Sequence, residues 1–370
     1  MRVAIVHYWL LNRRGGEKVI EALCRLLPEA DLFTLFCDRA ALSPELQKRR
    51  IVTSFLNPMR RFYRELLPLM PMALESFDFR GYDLVISHES GPAKGVILPS
   101  TARHICFCET PMRYLWDLYP AYRNDFVKSR LKRAFMAPVS NYLRLWDYAS
   151  AARVDRFIAN SENVRNRIWK TYRREAEVIH PPVDVDSFFW QPADDYYLIV
   201  SELVPYKRVD TAVRLFSASG RRLVIAGEGP EYKRLKKLAR PNVELCGRVS
   251  GEDLRGLYAR CRALILPGEE DFGMTTIEAL ASGKPVVALG RGGALETVPV
   301  NDPLGGVLYN EPAEAQLASA IATLEASESL IRPAEIQAFA ARFSEHEFLR
   351  KMHEVLAPWI TAGTTAGIPR

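Results

Sequence analysis

The sequence predicts an α/β protein made of two parallel-sheet domains, and three observations carry that prediction. Short runs rich in Val, Ile and Leu, at residues 2–7, 196–200 and 263–266, alternate with stretches in which apolar residues recur every three or four positions. At 370 residues the chain exceeds the size at which one hydrophobic core usually stops growing. The strand-helix rhythm also starts afresh near residue 196, after a segment bearing Pro181 and Pro182. Strands separated by helices read as βαβ units, whose strands run parallel. The expected organisation is a first domain over residues 1–183 and a second over 184–342. Residues 343–370 then form a further helix, followed by a tail without apolar periodicity from Thr361 onward.

Composition narrows the functional classes. The hydrophobic fraction of 48% and charged fraction of 25% are those of an ordinary globular protein, and no apolar run approaches the ~18 residues needed to span a bilayer. The opening residues MRVAIVHYWL lead straight into a strand and lack a signal-peptide pattern, so a cytoplasmic location is expected. The six cysteines include no C-x-x-C pair and read as small buried residues rather than metal ligands or disulfides. Charge is uneven: residues 1–180 hold 29 Lys and Arg against 19 Asp and Glu, whereas the remainder holds 21 against 25. A basic first half points to an anionic surface or ligand there.

Each element has a local reason. Residues 2–7 form a buried strand, and Arg13-Arg14-Gly15-Gly16-Glu17 opens a helix whose Val19, Ile20, Leu23, Leu26 and Leu27 share a face, giving a Rossmann-like βα unit. Gly15 and Gly16 admit close backbone approach and leave amides at the helix start, although no G-x-G-x-x-G is present. Residues 31–36, 51–53, 82–87 and 93–98 are further strand candidates. Between 57 and 77, Arg60, Arg61 and Arg64 mix with Phe62, Tyr63, Leu66, Leu67, Leu69, Met70 and Met72, a pattern suited to a membrane interface, while Pro68 and Pro71 exclude one long helix. Residues 128–133 and 142–146 are a second basic-aromatic region, whose cations include Lys128, Arg130, Lys132 and Arg133. The strand at 104–108 ends on Glu109, where open parallel sheets place active sites. Residues 154–159 read as a strand with Ser161 capping the next helix, and 177–183 as another strand. Asp184 and Asp186 spell D-x-D, but in a linker, which argues against a metal site.

In the second half, Lys207 and Arg208 follow a strand end and are placed to meet phosphate. The stretch 264–288 reads as strand, glycine-marked acidic turn, helix and strand, with Glu270 before the turn and Glu278 inside the helix. Amides of Gly273, Met274, Thr275 and Thr276 at that helix start would attract an anion such as a diphosphate. Consecutive carboxylates at Glu269 and Glu270 would repel the same anion, so at least one is expected to bind sugar hydroxyls. A nucleotide sugar satisfies both demands.

Glu270 to Glu278, with Phe272-Gly273 between and ALASGKPVVA following, resembles the E-x7-E signature of glycosyltransferase family 4, retaining enzymes of the GT-B fold. The resemblance extends over nearly the whole chain. Pro111-Met112-Arg113-Tyr114, Pro205-Tyr206-Lys207-Arg208, Gly227-Glu228-Gly229-Pro230 and the turn Cys246-Gly247-Arg248-Val249 all fit, and the bacterial mannosyltransferase-like enzymes of O-antigen and exopolysaccharide assembly are similar in pattern. It implies a hexosyltransferase with two Rossmann-like domains facing across a cleft and a C-terminal helix, within residues 343–370, crossing back to the first domain. The donor would be a nucleotide diphosphate sugar, GDP-mannose by resemblance, and no metal or other cofactor would be required. The acceptor would be a polyprenyl-diphosphate-linked saccharide on the anionic inner face of the plasma membrane, and no nucleic acid is involved. Glu270 would hold sugar hydroxyls, Glu278 the ribose, Lys207 and Arg208 the leaving diphosphate. Gly247, Arg248 and Val249 would cradle the base, Gly15 and Gly16 would approach phosphate and acceptor, and Phe272 belongs to the donor turn. Retention would follow from front-face attack with the leaving phosphate as base. Glu109 stands where the family usually has His, and Glu202 where Arg is common. Two alternatives stay open, a sugar-nucleotide epimerase, which shares the GT-B fold and its ligands, and, given those departures, a catalytically degenerate sugar-nucleotide-binding protein.

Overall fold

The computed structural model describes residues 1–12, 15–126 and 129–361. Arg13, Arg14, Lys128 and the segment 362–370 lie outside the described residues. The chain divides into two compact units, Met1–His180 with Leu349–Arg370, and Pro181–Phe348. Both divisions differ from the expected 183 and 343. Val183 bridges Ser344 and donates its amide to the Phe343 carbonyl at 3.1 Å, and the Phe343 ring packs 5.7 Å from Phe272, so these residues are held in the second unit.

The first unit is built on seven parallel strands: β1 (Val3–Leu10), β2 (Asp31–Cys37), β3 (Ile51–Thr53), β4 (Leu84–Glu89), β5 (Arg103–Cys108), β6 (Arg156–Ala159) and β7 (Ala176–Val178), in the order β3-β2-β1-β4-β5-β6-β7. The second has β8 (Tyr197–Val200), β9 (Leu223–Ala226), β10 (Val243–Gly247), β11 (Leu264–Leu266), β12 (Val286–Leu289) and β13 (Gly306–Tyr309), in the order β10-β9-β8-β11-β12-β13. Both are Rossmann-like sheets. Continuous apolar runs are the sequence form of strands covered by helices on both faces, and Ala4, Ile5 and Val6 of β1 are indeed fully enclosed. In each sheet the strand order reverses once, between β1 and β4 and between β8 and β11. A crevice opens outside the carboxyl ends of such neighbours, where ligands of open α/β sheets bind.

Several local expectations hold. Ser161 accepts the Val164 amide at 3.1 Å and caps the helix Glu162–Tyr172. The proline-bearing segment forms short 3-10 turns at Asn57–Phe62 and Leu67–Leu69 and a brief helix Met70–Glu75, as its prolines require. Two expectations fail. Residues 93–98 are not a strand but hold the 3-10 turn Ala93–Gly95, because the Lys94 amide bonds the Glu89 carboxylate at 2.8 Å instead of a neighbouring strand. The strand expected over 177–183 is only Ala176–Val178, ended by the prolines that follow. No helix among the described residues is long and apolar enough to cross a membrane.

Candidate active site

In the second unit, five loops at the carboxyl ends of the strands are stitched together backbone to backbone. Leu203 donates to the Glu228 carbonyl at 2.8 Å, Gly227 to Gly247 at 2.8 Å, and Gly293 to Glu270 at 2.9 Å. The loops after β8 and β11 also touch. A Cβ on Gly268 would lie 2.7 Å from the Lys207 backbone, a distance no side chain tolerates. This approach sets the Lys207 ammonium directly on the Glu270 carboxylate, with the two side chains 16% and 20% exposed. Pairing neutralises one of the crowded carboxylates and removes most of the repulsion that the sequence implied for a diphosphate. The ammonium keeps donors for further contacts, since it carries three hydrogens.

Beside this pair, Gly273 adopts φ 91°, a left-handed conformation suited to glycine, and begins the helix Met274–Ala281. The Thr276 amide already donates to the Gly273 carbonyl at 2.9 Å, which corrects the expectation that it is available to a ligand. The first-turn amides of Gly273, Met274 and Thr275 stand at the start of this helix, where a helix leaves donors without intrahelical partners. The Thr276 hydroxyl is buried without a hydrogen-bond partner, and a Cβ on Gly273 would sit 3.0 Å from it. Phe272 offers a ligand only its backbone, because its side chain is 3% exposed within the apolar core. Glu278 is 7% exposed, and its Oε2 accepts the Tyr258 hydroxyl at 2.9 Å, a partner that sequence spacing did not reveal. Burial, together with this carboxylate, raises the Tyr258 pKa and keeps its proton in place as donor. Gly247 ends β10, Arg248 is exposed and Val249 half-buried, so the turn presents backbone. Arg208 is exposed and turned toward the Pro312 carbonyl at 3.3 Å, apart from the Lys207 and Glu270 pair.

In the first unit, Glu109 follows β5 and approaches His88, which with His7 forms a buried pair to which the sequence assigned no role. His88 Nε2 lies 3.2 Å from Glu109 Oε1, and the Nδ1 atoms of His7 and His88 are 3.1 Å apart. Their only sequence signal is parallel register, which sets His7 opposite His88 across the strand-order reversal. Burial, reinforced by His88, holds the His7 imidazole well below its ordinary pKa and therefore neutral. Gly16 lies against the same group, where a Cβ would be 3.3 Å from His88 and 3.6 Å from the Glu109 oxygens. The Glu109 carboxylate therefore lies beside the helix start at Gly16. One step deeper, fully buried Lys94 pairs with Asp147 and, at 3.3 Å, with Glu89. Asp147 also accepts Trp116 Nε1 at 2.8 Å and the Tyr172 hydroxyl at 2.9 Å. Burial pushes Glu89 up to about 7 against the pull of Lys94.

An open groove of about 660 Å³ lies at the amino ends of β6 and β7, lined by Arg156, Trp169, Arg173 and Arg174. Its cations are occupied: Arg156 pairs with Glu177, and Arg174 donates to the Ala151 and Val154 carbonyls.

Two such sheets, each with a polar cluster at its strand-order reversal, define the GT-B class. Residues 13–187 match Glycosyltransferase Family 4 and residues 184–342 match the glycosyl transferases group 1. The chain belongs to glycosyltransferase family 4. Among curated relatives, it is 27% identical over 185 residues to the O-antigen chain mannosyltransferase of Salmonella typhimurium, covering 45% of this chain and 52% of the relative. It is 33% identical over 124 residues to a GDP-mannose-dependent alpha-mannosyltransferase of Corynebacterium glutamicum, covering 33% and 29%. The matched part thus spans about half or less of these relatives' length. The fold is similar to that of Anabaena HepE crystallised with UDP, with a TM-score of 0.70 at 16% identity over 97% of this chain and 100% of that one.

Proposed function

We propose that this protein is a retaining hexosyltransferase that moves a sugar from a nucleotide diphosphate donor to a lipid-linked saccharide, with GDP-mannose as donor. The observation that carries the reading is the Lys207 and Glu270 ion pair beside the amide-lined start of the helix Met274–Ala281. A departing diphosphate needs preorganised cation and amide donors, and the sugar needs a carboxylate for its hydroxyls. Both are within one loop cluster. Glu278, held by Tyr258, supplies a buried carboxylate for the ribose, and leaving-group charge is met by Lys207 and amides rather than by a metal. Relatives named as GDP-mannose-dependent and O-antigen mannosyltransferases support the choice of donor and the class of acceptor.

The acceptor side belongs to the first unit in this reading, at a cytoplasmic, peripheral position on an anionic membrane. Arg60, Arg61 and Arg64 are exposed beside Phe62, itself 61% exposed. The helix Arg130–Ala151 adds Leu131, Phe135 and Leu145, each more than 60% exposed, at helical spacing on its outer side. Cations beside outward apolar side chains match a lipid headgroup and acyl boundary. The deciding experiment offers a panel of labelled nucleotide sugars to purified protein, with a lipid extract of the source cells as acceptor. Label from GDP-mannose is expected in the lipid fraction. Label that remains nucleotide-bound as an altered sugar, or no turnover of any donor, overturns the proposal.

A further inference from the structure

We infer that His88 is a positioning residue that holds the Glu109 carboxylate as acceptor for a substrate sugar hydroxyl, an assignment that rests on the sugar-transfer reading above. Three features lead there. His88 is completely buried, its Nε2 has no aligned hydrogen-bond partner, and the polar atom it faces is Glu109 Oε1 at 3.2 Å. Its ring plane is set by Phe107, stacked 5.6 Å away at 25°. Its other nitrogen, Nδ1, faces His7 Nδ1 at 3.1 Å.

That last contact selects a tautomer. Between two Nδ1 atoms only one proton fits. If His88 supplied it, a neutral His88 would turn an Nε2 lone pair toward a carboxylate, which is repulsive. If His7 supplies it, His88 accepts at Nδ1 and carries its proton on Nε2, 3.2 Å from Glu109 Oε1. The second arrangement places a donor at the shorter of the two carboxylate contacts, 3.2 Å for His88 Nε2 and Glu109 against 4.0 Å for His7 Nε2 and Glu17, and it gives the His7 Nδ1–H a second acceptor in the His88 carbonyl at 3.2 Å. One imidazole nitrogen therefore orients the other, as in other histidine-supported sites.

The ligand class follows from the neighbours. The carboxylates beside the pair are Glu17, whose Oε1 is 4.0 Å from His7 Nε2, and Glu21 one turn further along the same helix; Glu89 follows His88 on β4 and turns to the opposite face, where Lys94 engages it. The buried cation Lys94 is itself committed to Glu89 and Asp147. A site walled by carboxylates repels phosphate but accepts hydroxyl hydrogens, and Glu109 is partly exposed, its side chain 21% accessible. The position lies at the reversal of strand order between β1 and β4, beyond their carboxyl ends. Glu109 thus supplies a hydroxyl acceptor, and His88 fixes where that acceptor points.

Two measurements on the full chain test this. Long-range nitrogen–proton correlation spectra, with His88 assigned by its loss in H88Q, should show the Nε2–H tautomer and a shift of that signal in E109Q. For labelled transfer from GDP-mannose to the lipid extract, E109Q should lower kcat/KM about 100-fold and H88L at least about tenfold, with affinity for free GDP within about twofold of wild type. H88Q, which keeps a donor, should recover most of the H88L loss, and H88L/E109Q should be no slower than E109Q alone. A His88 Nδ1–H tautomer, or losses that simply add in the double variant, overturns the inference. A wild-type protein that transfers no label refutes the sugar-transfer reading, while the spectra still decide the link between His88 and Glu109.

Discussion

Lys207 and Glu270, 63 residues apart in sequence, form a direct ion pair where the loops after β8 and β11 touch. The contact depends on Gly268, because any side chain there would drive the Lys207 backbone away. Cation and carboxylate are thereby placed in advance of any ligand, so little reorganisation is needed when diphosphate charge develops.

Replacing Lys207 with Met should therefore reduce turnover about 100-fold at saturating donor, the usual cost of losing one preorganised donor. Glu270→Gln should lower kcat more than donor affinity. Initial rates across donor concentrations check both, and a Lys207→Met enzyme with wild-type kcat would place the diphosphate elsewhere.

Gly268→Ala tests the scaffold beneath that pair. The added Cβ would meet three Lys207 backbone atoms at 2.7 Å, so the loop must shift at a cost of about 1–3 kcal/mol, typical of overpacking. Urea denaturation should show lowered stability together with reduced activity. Full retention of both would mean that the loops are not held in this contact.

Glu278→Ala should weaken binding of free nucleoside diphosphate by about 1.5–3 kcal/mol, the worth of hydrogen bonds to a charged group. Tyr258→Phe removes the partner that orients the carboxylate at 2.9 Å and should weaken binding by a smaller amount. Calorimetry decides. Unchanged affinity in Glu278→Ala removes the ribose assignment.

The first unit should show stability that depends on pH in two opposed ways. Burial lowers His104 from 6.5 to about 3, so between those values the unfolded chain binds the extra proton and stability falls as pH drops. Burial raises Glu89 from 4.5 to about 7, so in that window the native state holds the extra proton and stability falls as pH rises. His104→Gln should flatten the acid side of a denaturant-midpoint profile, and Glu89→Gln the side approaching neutrality. Unaltered slopes in both variants would contradict these burial effects.

Reversal of Arg60, Arg61 and Arg64 to Glu should release the protein from liposomes containing anionic lipid while leaving nucleotide binding intact. Each basic group near such a surface contributes about 1 kcal/mol, screened by salt. Co-sedimentation at low and high ionic strength reads the effect. Binding indifferent to salt and to the charge reversal would make these arginines an ordinary solvated face.

Much of this molecule is local and hence legible in its residues. Parallel strands betray themselves as continuous apolar runs, so the two α/β halves follow from periodicity alone. Glu270, Gly273 and Glu278 share one short stretch, and its strand-turn-helix pattern is enough to single out the turn as a candidate anion site. Pro68 and Pro71 likewise forbid a long helix whatever surrounds them. Tertiary structure decided what depends on strand order and register, which no local pattern encodes. It joined Lys207 to Glu270, gave Glu278 its Tyr258 partner, and moved Phe343 into the second unit's core. His7 and His88 stand 81 residues apart and look unremarkable as isolated residues. They become a pair only because β4 lies beside β1 with these two in register, and their meaning arises because Glu109 ends the next strand over.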